Sequence, residues 1–226
     1  MKVLVVAAHA DDEALGCGGA LIRHADAGDD VAALFLTNGV SSRDSVDAND
    51  ISARQTAMEK ALSILGVRHH VRLDYPDNAI DTVSLLSVAK SLEAFCSKWG
   101  TPDTIYIHHP SDLNVDHQIA YRAVMTCFRP QPSSEGTPSS ILTFEVPSST
   151  GWIGGSSADG FLPNYFINID LTLERKLDAL RAYSAEMRPF PHARSLQAVE
   201  HLARYRGSTV GVAAAEAFVV ERIIEN

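Results

Sequence analysis

The chain has few of the residues that mark secreted or membrane-bound proteins. Its 226 residues include only three cysteines, Cys17, Cys96 and Cys127, which are odd in number and widely spaced. Secreted domains stabilised by disulfides carry dense, even sets of cysteines, so this pattern favours a reducing compartment. No stretch approaches the roughly 20 apolar residues that a membrane-spanning helix needs. We therefore predict a cytoplasmic protein without a transmembrane segment.

The chain also lacks a positive charge balance. Its formal net charge is -9, so no global field attracts it to phosphate backbones or to an anionic membrane. Nucleic acid is therefore not an expected partner. The hydrophobic share of 46% is enough for one sizeable core at this length, and a single domain covering residues 1–226 is predicted.

Apolar, β-branched runs alternate with segments of helical periodicity. The first run, 2–8, ends at a histidine and three acids, so it is a strand rather than the core of a signal peptide. Strands are predicted at 2–8, 31–37, 70–74, 104–108, 141–144 and 165–169. Helices are predicted at 14–27, 50–65, 82–98, 117–128 and 171–185, and a last helix follows a turn at 188–195 and ends at about 205. Loops are predicted at 129–140 and 147–163, and an apolar segment lies at 218–224. Serial strand–helix pairs predict an α/β fold, a Rossmann-like, mostly parallel sheet flanked by helices.

Side chains that bind metals follow the first and fourth predicted strands. The first cluster, 9–13, reads HADDE, and the second, 108–117, reads HHPSDLNVDH. Ligands of open parallel sheets bind at the carboxyl ends of the strands, and strands one and four often meet at a switch point. Aspartates in either cluster are equally compatible with helix capping. Two clusters at one sheet edge favour a metal site over two caps.

The donor types match a catalytic zinc ion. Such an ion takes three nitrogen or carboxylate ligands and keeps one position open for water. His9, one of Asp11 and Asp12, and His117 supply such a set. The remaining carboxylate of the pair can then act as a general base on water, whose pKa the metal lowers to about 7. One zinc ion per protomer is expected.

The two clusters resemble the signature motifs of the PIG-L/LmbE-like zinc-dependent N-deacetylases. That family carries AHPDDE after its first strand and a later DxHPDH-like motif, and this chain has AHADDE at 8–13 and DLNVDH at 112–117. Further similar blocks are TNGVSSR at 37–43, the helix of Arg54, YPDN at 75–78 and, as in one subset, MRPFPHARS at 187–195. The resemblance implies a hydrolase that removes the N-acetyl group from an amino sugar or its conjugate, of the N-acetylglucosamine type, and releases acetate.

The resemblance also implies roles for single residues around the zinc. His9, Asp12 and His117 would be its ligands, and Asp11 would be the general base. Asp116 matches the family aspartate that orients or tunes a neighbouring catalytic group.

Two further residues would contact the substrate. Arg54 matches an active-site arginine, and its guanidinium suits a phosphate or carboxylate on the sugar; the alternative is a solvated helix residue paired with an acid. Asp77 would accept hydrogen bonds from sugar hydroxyls, although a turn aspartate needs no such role. Trp152 could stack on a sugar ring.

Two positions depart from the family pattern. Ala10 replaces a proline without removing a chemical group. Asn114 replaces a histidine that acts as an acid or oxyanion stabiliser, and an amide donates hydrogen bonds but delivers no proton at neutral pH. We predict that His192, in the proline-rich turn, supplies the proton and that Asn114 helps to hold the oxyanion. His109 and Asp11 are the alternative proton donors.

Three other functions compete with sugar deacetylation. The first is a zinc amidohydrolase for a non-sugar N-acyl substrate. The second is a nucleotide-binding protein, although the first turn lacks G-x-G-x-x-G and the glycines at 16–19 fall inside the first helix. The third is a non-catalytic metal-binding protein. The expected partner is a small-molecule amino-sugar conjugate, and a homo-oligomer is compatible with this prediction.

Overall fold

A computed structural model describes residues 1–39, 48–130, 136–152 and 160–225. The strands are β1 (Lys2–Ala7), β2 (Asp30–Thr37), β3 (His69–Tyr75), β4 (Thr104–His108), β5 (Ser140–Phe144), β6 (Tyr165–Asn168) and β7 (Ala215–Ile223). The α-helices are α1 (Asp12–Asp26), α2 (Ala48–Leu65), α3 (Leu85–Trp99), α4 (Val115–Cys127), α5 (Leu173–Ala182) and α6 (Leu196–Ser208), with 3₁₀ turns at Ile80–Thr82 and Thr150–Trp152.

The strands form one sheet in the order β3-β2-β1-β4-β5-β7-β6. Strands β1 to β5 are parallel, and β7 runs antiparallel to both β5 and β6. The predicted α/β architecture with a mostly parallel sheet is confirmed. Since β1 pairs with both β2 and β4, the chain has a switch point between β1 and β4, where ligands bind in such sheets.

Several element bounds differ from the prediction. Helix α3 begins at Leu85 because a 3₁₀ turn precedes it and Ser84 accepts a hydrogen bond from the amide of Ser87 at 3.2 Å. Helix α5 is shorter than predicted, and the apolar segment at 218–224 belongs to the longer strand β7. Parts of three predicted segments lie outside the described residues: 40–43 of the TNGVSSR block, 131–135 of the first loop and 153–159 of the second.

The core has two layers, one on each face of the sheet. Alternate residues of β1 enter them, with Val3 and Val5 on the side of α1, α2, α5 and α6, and Leu4 and Val6 on the side of α3 and α4. Both faces of this central strand are therefore buried, which explains why its sequence is a continuous apolar run. The edge of the sheet at the carboxyl ends of its parallel strands is thereby held between two helical layers.

Two glycines have clear steric roles. A Cβ on Gly16 would lie 2.1 Å from the ring of Phe144, so only glycine lets α1 approach β5 this closely. Gly66 follows α2 with a φ of 76°, the left-handed conformation that glycine commonly adopts at the end of a helix.

A buried ion pair bridges a break in α1. Cys17 has a non-helical φ of -142°, which disrupts the normal ladder of hydrogen bonds around it. Lys176 donates to the carbonyl of Leu15 at 2.9 Å, and Glu216 accepts from the amides of residues 19–20 at 2.8 and 2.7 Å. Lys176 and Glu216 are 2.6 Å apart. Side chains from α5 and β7 thus supply hydrogen bonds at the break.

The expectations about membrane-spanning helices and about cysteines can be compared with the residues that the structure describes. No helix there is long and apolar enough to cross a bilayer. The three cysteines are free thiols.

Candidate active site

The structure brings three predicted ligand residues together at the switch point. His9 lies two residues after the end of β1, Asp12 is the first residue of α1, and His117 lies in the first turn of α4. All three are buried, and their candidate ligand atoms lie within 4.8 Å of one another. The two motifs therefore meet where the order of the parallel strands reverses.

The spacing of these atoms fits a tetrahedral ion. Asp12 Oδ2 is 3.2 Å from His9 Nδ1 and 3.3 Å from His117 Nε2. Two ligands at about 2.0–2.1 Å from a tetrahedral zinc lie about 3.3 Å apart. Within the described residues, His117 Nε2 and Asp12 Oδ1 are buried without a hydrogen-bond partner. Buried polar atoms rarely stay unsatisfied, so the residues present fit a metal ion.

Each histidine uses its other ring nitrogen to contact carboxylates. His9 Nε2 is 3.1 Å from both Asp116 Oδ2 and Asp77 Oδ1, and His117 Nδ1 is 3.1 Å from Asp112 Oδ1. Metal-binding histidines commonly donate their outer N–H to a carboxylate, which fixes the tautomer and the ring orientation. These contacts leave His9 Nδ1 and His117 Nε2 directed at Asp12.

Charges in the cluster favour a cation between the side chains. Burial by itself lowers the pKa of His9, but Asp116, Asp12 and Asp77 outweigh it and raise that pKa well above its usual value. Burial also raises the pKa of Asp12, but His117 and His9 together hold it well below its usual range. Positive charge is thus stabilised here, whether protons or a metal ion carry it.

Asp116 is oriented by the backbone as well as by His9. Its two oxygens accept hydrogen bonds from the amides of Asn78 at 2.7 Å and Ile80 at 3.0 Å. The N-cap of α4 is Asn114, which accepts from the amide of Asp116 at 2.8 Å and donates to Asn78 at 3.2 Å. The alternative that Asp116 caps this helix is therefore wrong.

Asp11 occupies a strained backbone position beside the cluster. Its φ is 134°, and its amide donates to Glu13 at 2.9 Å. Its side chain makes no capping hydrogen bond; instead the carboxylate lies 3.1 Å from Arg194 and 3.7 Å from Arg54. Burial raises the pKa of Asp11, and the two guanidinium groups only partly oppose this rise. A raised pKa makes this carboxylate a stronger base than an exposed aspartate.

Arg54 is buried, not solvated. It forms an ion pair with Glu186 and donates to the carbonyl of Ala10 at 2.5 Å. The alternative of a solvated helix residue is wrong, although its pairing with an acid is correct.

Two buried groups outside the predicted ligand set lie near the ligands; one of them, Glu13, is the next candidate for the general base after Asp11. His108 stacks on His117 with ring centroids 3.8 Å apart, and burial lowers the pKa of His108 to about 3. Glu13 accepts from the hydroxyl of Tyr183 at 2.7 Å, and burial raises the pKa of Glu13 to about 7. Both residues belong to the two motif clusters, and this position at the sheet edge is the sequence feature that could have marked them as site residues.

A cleft of about 380 Å³ opens onto this cluster. The predicted site residues that line it are His9, Arg54, Asp77, Asn114, His117 and His192. Asp11, Asp12 and Asp116 are fully buried. The cleft thus contains most of the predicted site.

The candidate proton donors differ in their access to the cleft. His192 lines it, and its Nδ1 accepts from the amide of Arg194 at 3.0 Å, which leaves Nε2 to carry a proton. The ring of His109 packs edge-on against Phe161 at 5.3 Å and lies outside the cleft lining.

The family pattern of PIG-L, described as GlcNAc-PI de-N-acetylase, matches residues 4–128. This range is more than half of the chain and contains both motif clusters. The chain belongs to the PIG-L family. Its enzyme class is that of the N-deacetylases, and PIG-L deacetylases are metal-dependent, in agreement with the cluster at the switch point.

Two curated relatives are deacetylases by name. The uncharacterized deacetylase YaiS of Escherichia coli K12 is 32% identical over 148 residues, which cover 63% of this chain and 77% of the relative. The diacetylchitobiose deacetylase of Thermococcus kodakarensis is 26% identical over 193 residues, which cover 82% and 70%.

Solved structures share the fold. The N,N'-diacetylchitobiose deacetylase of Pyrococcus horikoshii superimposes with a TM-score of 0.76 at 23% identity, over 97% of this chain and 83% of the other. GalB of Pseudomonas putida KT2440, a 4-carboxy-2-hydroxymuconate hydratase, gives 0.74 at 21% identity, over 100% and 98%. The fold of this PIG-L protein is therefore shared with a hydratase as well as with deacetylases.

Part of the cleft lies beyond the PIG-L match. Glu186, Arg188, His192 and Arg194 line the cleft but follow residue 128. Of these, sequence reasoning assigned a role only to His192. The two arginines of RPFPHARS are evident in the sequence, but no motif predicts the path of this loop, and their contacts depend on that path.

Proposed function

We propose that this PIG-L protein is a zinc-dependent hydrolase that removes the N-acetyl group from an N-acetylated amino sugar or its conjugate, of the N-acetylglucosamine type, and releases acetate. The observation that carries the proposal is the buried set of His9, Asp12 and His117 at ligand spacing, with Asp11 beside it. Two imidazoles and one carboxylate match the donor set of a catalytic zinc. The named substrate of the Thermococcus relative, diacetylchitobiose, supports the substrate class.

Zinc would be held by His9, Asp12 and His117, and when bound it supplies a Lewis acid that polarises the acetamide oxygen and lowers the pKa of water. The surrounding carboxylates keep the two imidazoles in the ligating tautomer, through Asp116 and Asp77 on one side and through Asp112 on the other. These carboxylates orient the ligands and take no part in proton transfer.

Asp11 accepts the proton of the attacking water in this mechanism. Its raised pKa favours proton uptake, and its neighbouring cations, Arg194 and Arg54, hold the carboxylate in place. Its backbone is held at positive φ, at a cost of about 1–3 kcal/mol. The carboxylate makes no capping hydrogen bond and lies near Arg194 and Arg54, two residues that line the cleft.

The departing amine needs a proton, which we assign to His192. Its Nε2 would deliver this proton from the imidazolium form, in which Nδ1 is protonated and gives up the hydrogen bond that it accepts from the amide of Arg194 in the neutral ring. Asn114 accepts from the amide of Asp116 through Oδ1, and one N–H of its Nδ2 donates to Asn78, so the second N–H of Nδ2 is the group that can donate to the developing oxyanion. Trp152 lines the same cleft and offers a face for the sugar ring.

Acetate release by the zinc-loaded enzyme tests the function. The substrate panel contains N-acetylglucosamine, diacetylchitobiose, UDP-N-acetylglucosamine and, as a non-sugar control, an N-acetyl amino acid. We expect acetate from at least one sugar, and release slower by roughly 10²-fold or more with the Asp11→Asn variant. Acetate from the amino acid alone would support the non-sugar amidohydrolase instead. No acetate from any substrate by fully loaded enzyme would contradict the proposal.

A further inference from the structure

Three arginines line the cleft, and two of them are neutralised by its own walls. Arg54 pairs with Glu186 and lies 3.7 Å from Asp11. Arg194 lies 3.1 Å from Asp11. Two guanidinium groups therefore face two carboxylates, and their charges balance within the protein.

Arg188 has a different set of contacts. Its side chain is exposed, and its Nη1 donates to two carbonyls of its own loop, Ala185 at 2.8 Å and Met187 at 3.1 Å. Among the residues that the structure describes, no carboxylate forms an ion pair with it. The carbonyls hold the guanidinium at the rim of the cleft without cancelling its charge. Arg188 is thus the cleft arginine whose charge remains available to a ligand.

Other groups that line the same cleft as Arg188 suit a charged sugar. Trp152 is 54% exposed and meets the His192 ring edge-on at 5.7 Å, so much of its indole surface is open. An indole face binds the C–H face of a pyranose, and a guanidinium binds phosphate or carboxylate oxygens through two parallel N–H groups. A neutral sugar would use only the first of these contacts.

We propose that Arg188 forms an anion-binding subsite, and that the preferred substrate is an N-acetylated amino sugar that carries a phosphate or carboxylate group. This inference rests on the proposed deacetylase function and adds the class of substituent. It transfers to Arg188 the anion contact that family resemblance implied for Arg54, because Glu186 and Asp11 already engage the charge of Arg54.

Matched pairs of sugars test the subsite. N-acetylglucosamine is compared with its 6-phosphate in one arm and with N-acetylmuramic acid, which carries a carboxylate, in the other. We expect a higher kcat/KM for at least one anionic sugar than for the neutral one. Arg188→Gln should lower that preference about tenfold, mainly through KM, because a charge-assisted hydrogen bond at an exposed site is partly screened. Arg188→Glu should abolish it.

The matched control is Arg181→Gln, which removes an exposed arginine of α5 that pairs with Asp178 outside the cleft. Its preference should equal that of the wild type. Equal kcat/KM for neutral and anionic sugars in the wild type would overturn the subsite and leave the deacetylase proposal intact. A preference that Arg188→Gln does not change would also overturn it, since the anion would then bind elsewhere, for example on the metal.

Calorimetric dissociation constants for the same sugars separate the two proposals without turnover. Tighter, Arg188-dependent binding of an anionic sugar without acetate release would support the subsite and contradict the deacetylase proposal. Equal binding of both members of each pair, together with acetate release, would contradict the subsite alone.

Discussion

Lys176→Met is expected to destabilise the protein strongly, because it removes one half of the ion pair that bridges the break in α1. Lys176 and Glu216 have side chains only 4% and 3% exposed, and their charged atoms are 2.6 Å apart. Methionine keeps much of the length and the apolar stem of lysine but leaves the Glu216 carboxylate buried without a cation. Breaking a buried pair in this way costs about 3–5 kcal/mol.

The loss is large relative to the stability of a typical domain, roughly 5–15 kcal/mol. With a urea m-value of about 2–3 kcal/mol/M, the unfolding midpoint should fall by about 1–2.5 M. Circular dichroism during urea titration measures this midpoint. The substitution should also weaken zinc retention, since the first turn of α1, the helix with the break, carries Asp12.

Arg181→Met is the matched control on α5, the helix that also carries Lys176. Arg181 pairs with Asp178 in an exposed position, and such pairs contribute at most about 1 kcal/mol. Equal, small losses of unfolding free energy in the Lys176 and Arg181 variants would refute the reasoning about the buried pair.

Three further variants test the proposed proton transfers. Asp11→Asn should keep its fold and zinc but lower kcat by roughly 10²-fold or more; near-normal acetate release would move the base elsewhere, with Glu13 next. His192→Ala should retain zinc, lose activity and lose the alkaline limb of the pH–rate profile, whereas an unchanged profile with retained turnover would return this role to Asp11 or His109. Arg194→Ala should lower kcat with little change in KM, because Asp11 loses its nearest cation, and millimolar guanidinium should restore part of it; a folded variant with full activity would exclude the role.

The parts of the site that follow from topology were predictable from the sequence. The alternation of strands and helices places the ends of β1 and β4 at one switch point, and His9, Asp12 and His117 stand at those ends. Helical capping was harder to predict, because Asn114 and Asp116 are both good capping residues and only the backbone decides between them. The amide of Asp116 bonds to Asn114 in the structure.

Contacts made by distant loops were not predictable. Arg194 reaches Asp11 from the segment between α5 and α6, and Glu186 reaches Arg54 from the same region. Neither contact leaves a periodicity or spacing in the sequence, since each depends on how the loop packs over the sheet edge. The antiparallel direction of β7 was also not predicted, because an apolar segment has the same pattern in a parallel and in an antiparallel strand.

Zinc content of the purified protein tests the central claim most directly. Elemental analysis should find about one zinc per wild-type protomer and very little in His117→Ala. The control His70→Ala, which removes an exposed histidine of β3, should retain the wild-type content, and acetate release should follow zinc content in all three proteins. Full zinc retention in a folded His117→Ala protein would contradict the assignment of the metal to His9, Asp12 and His117.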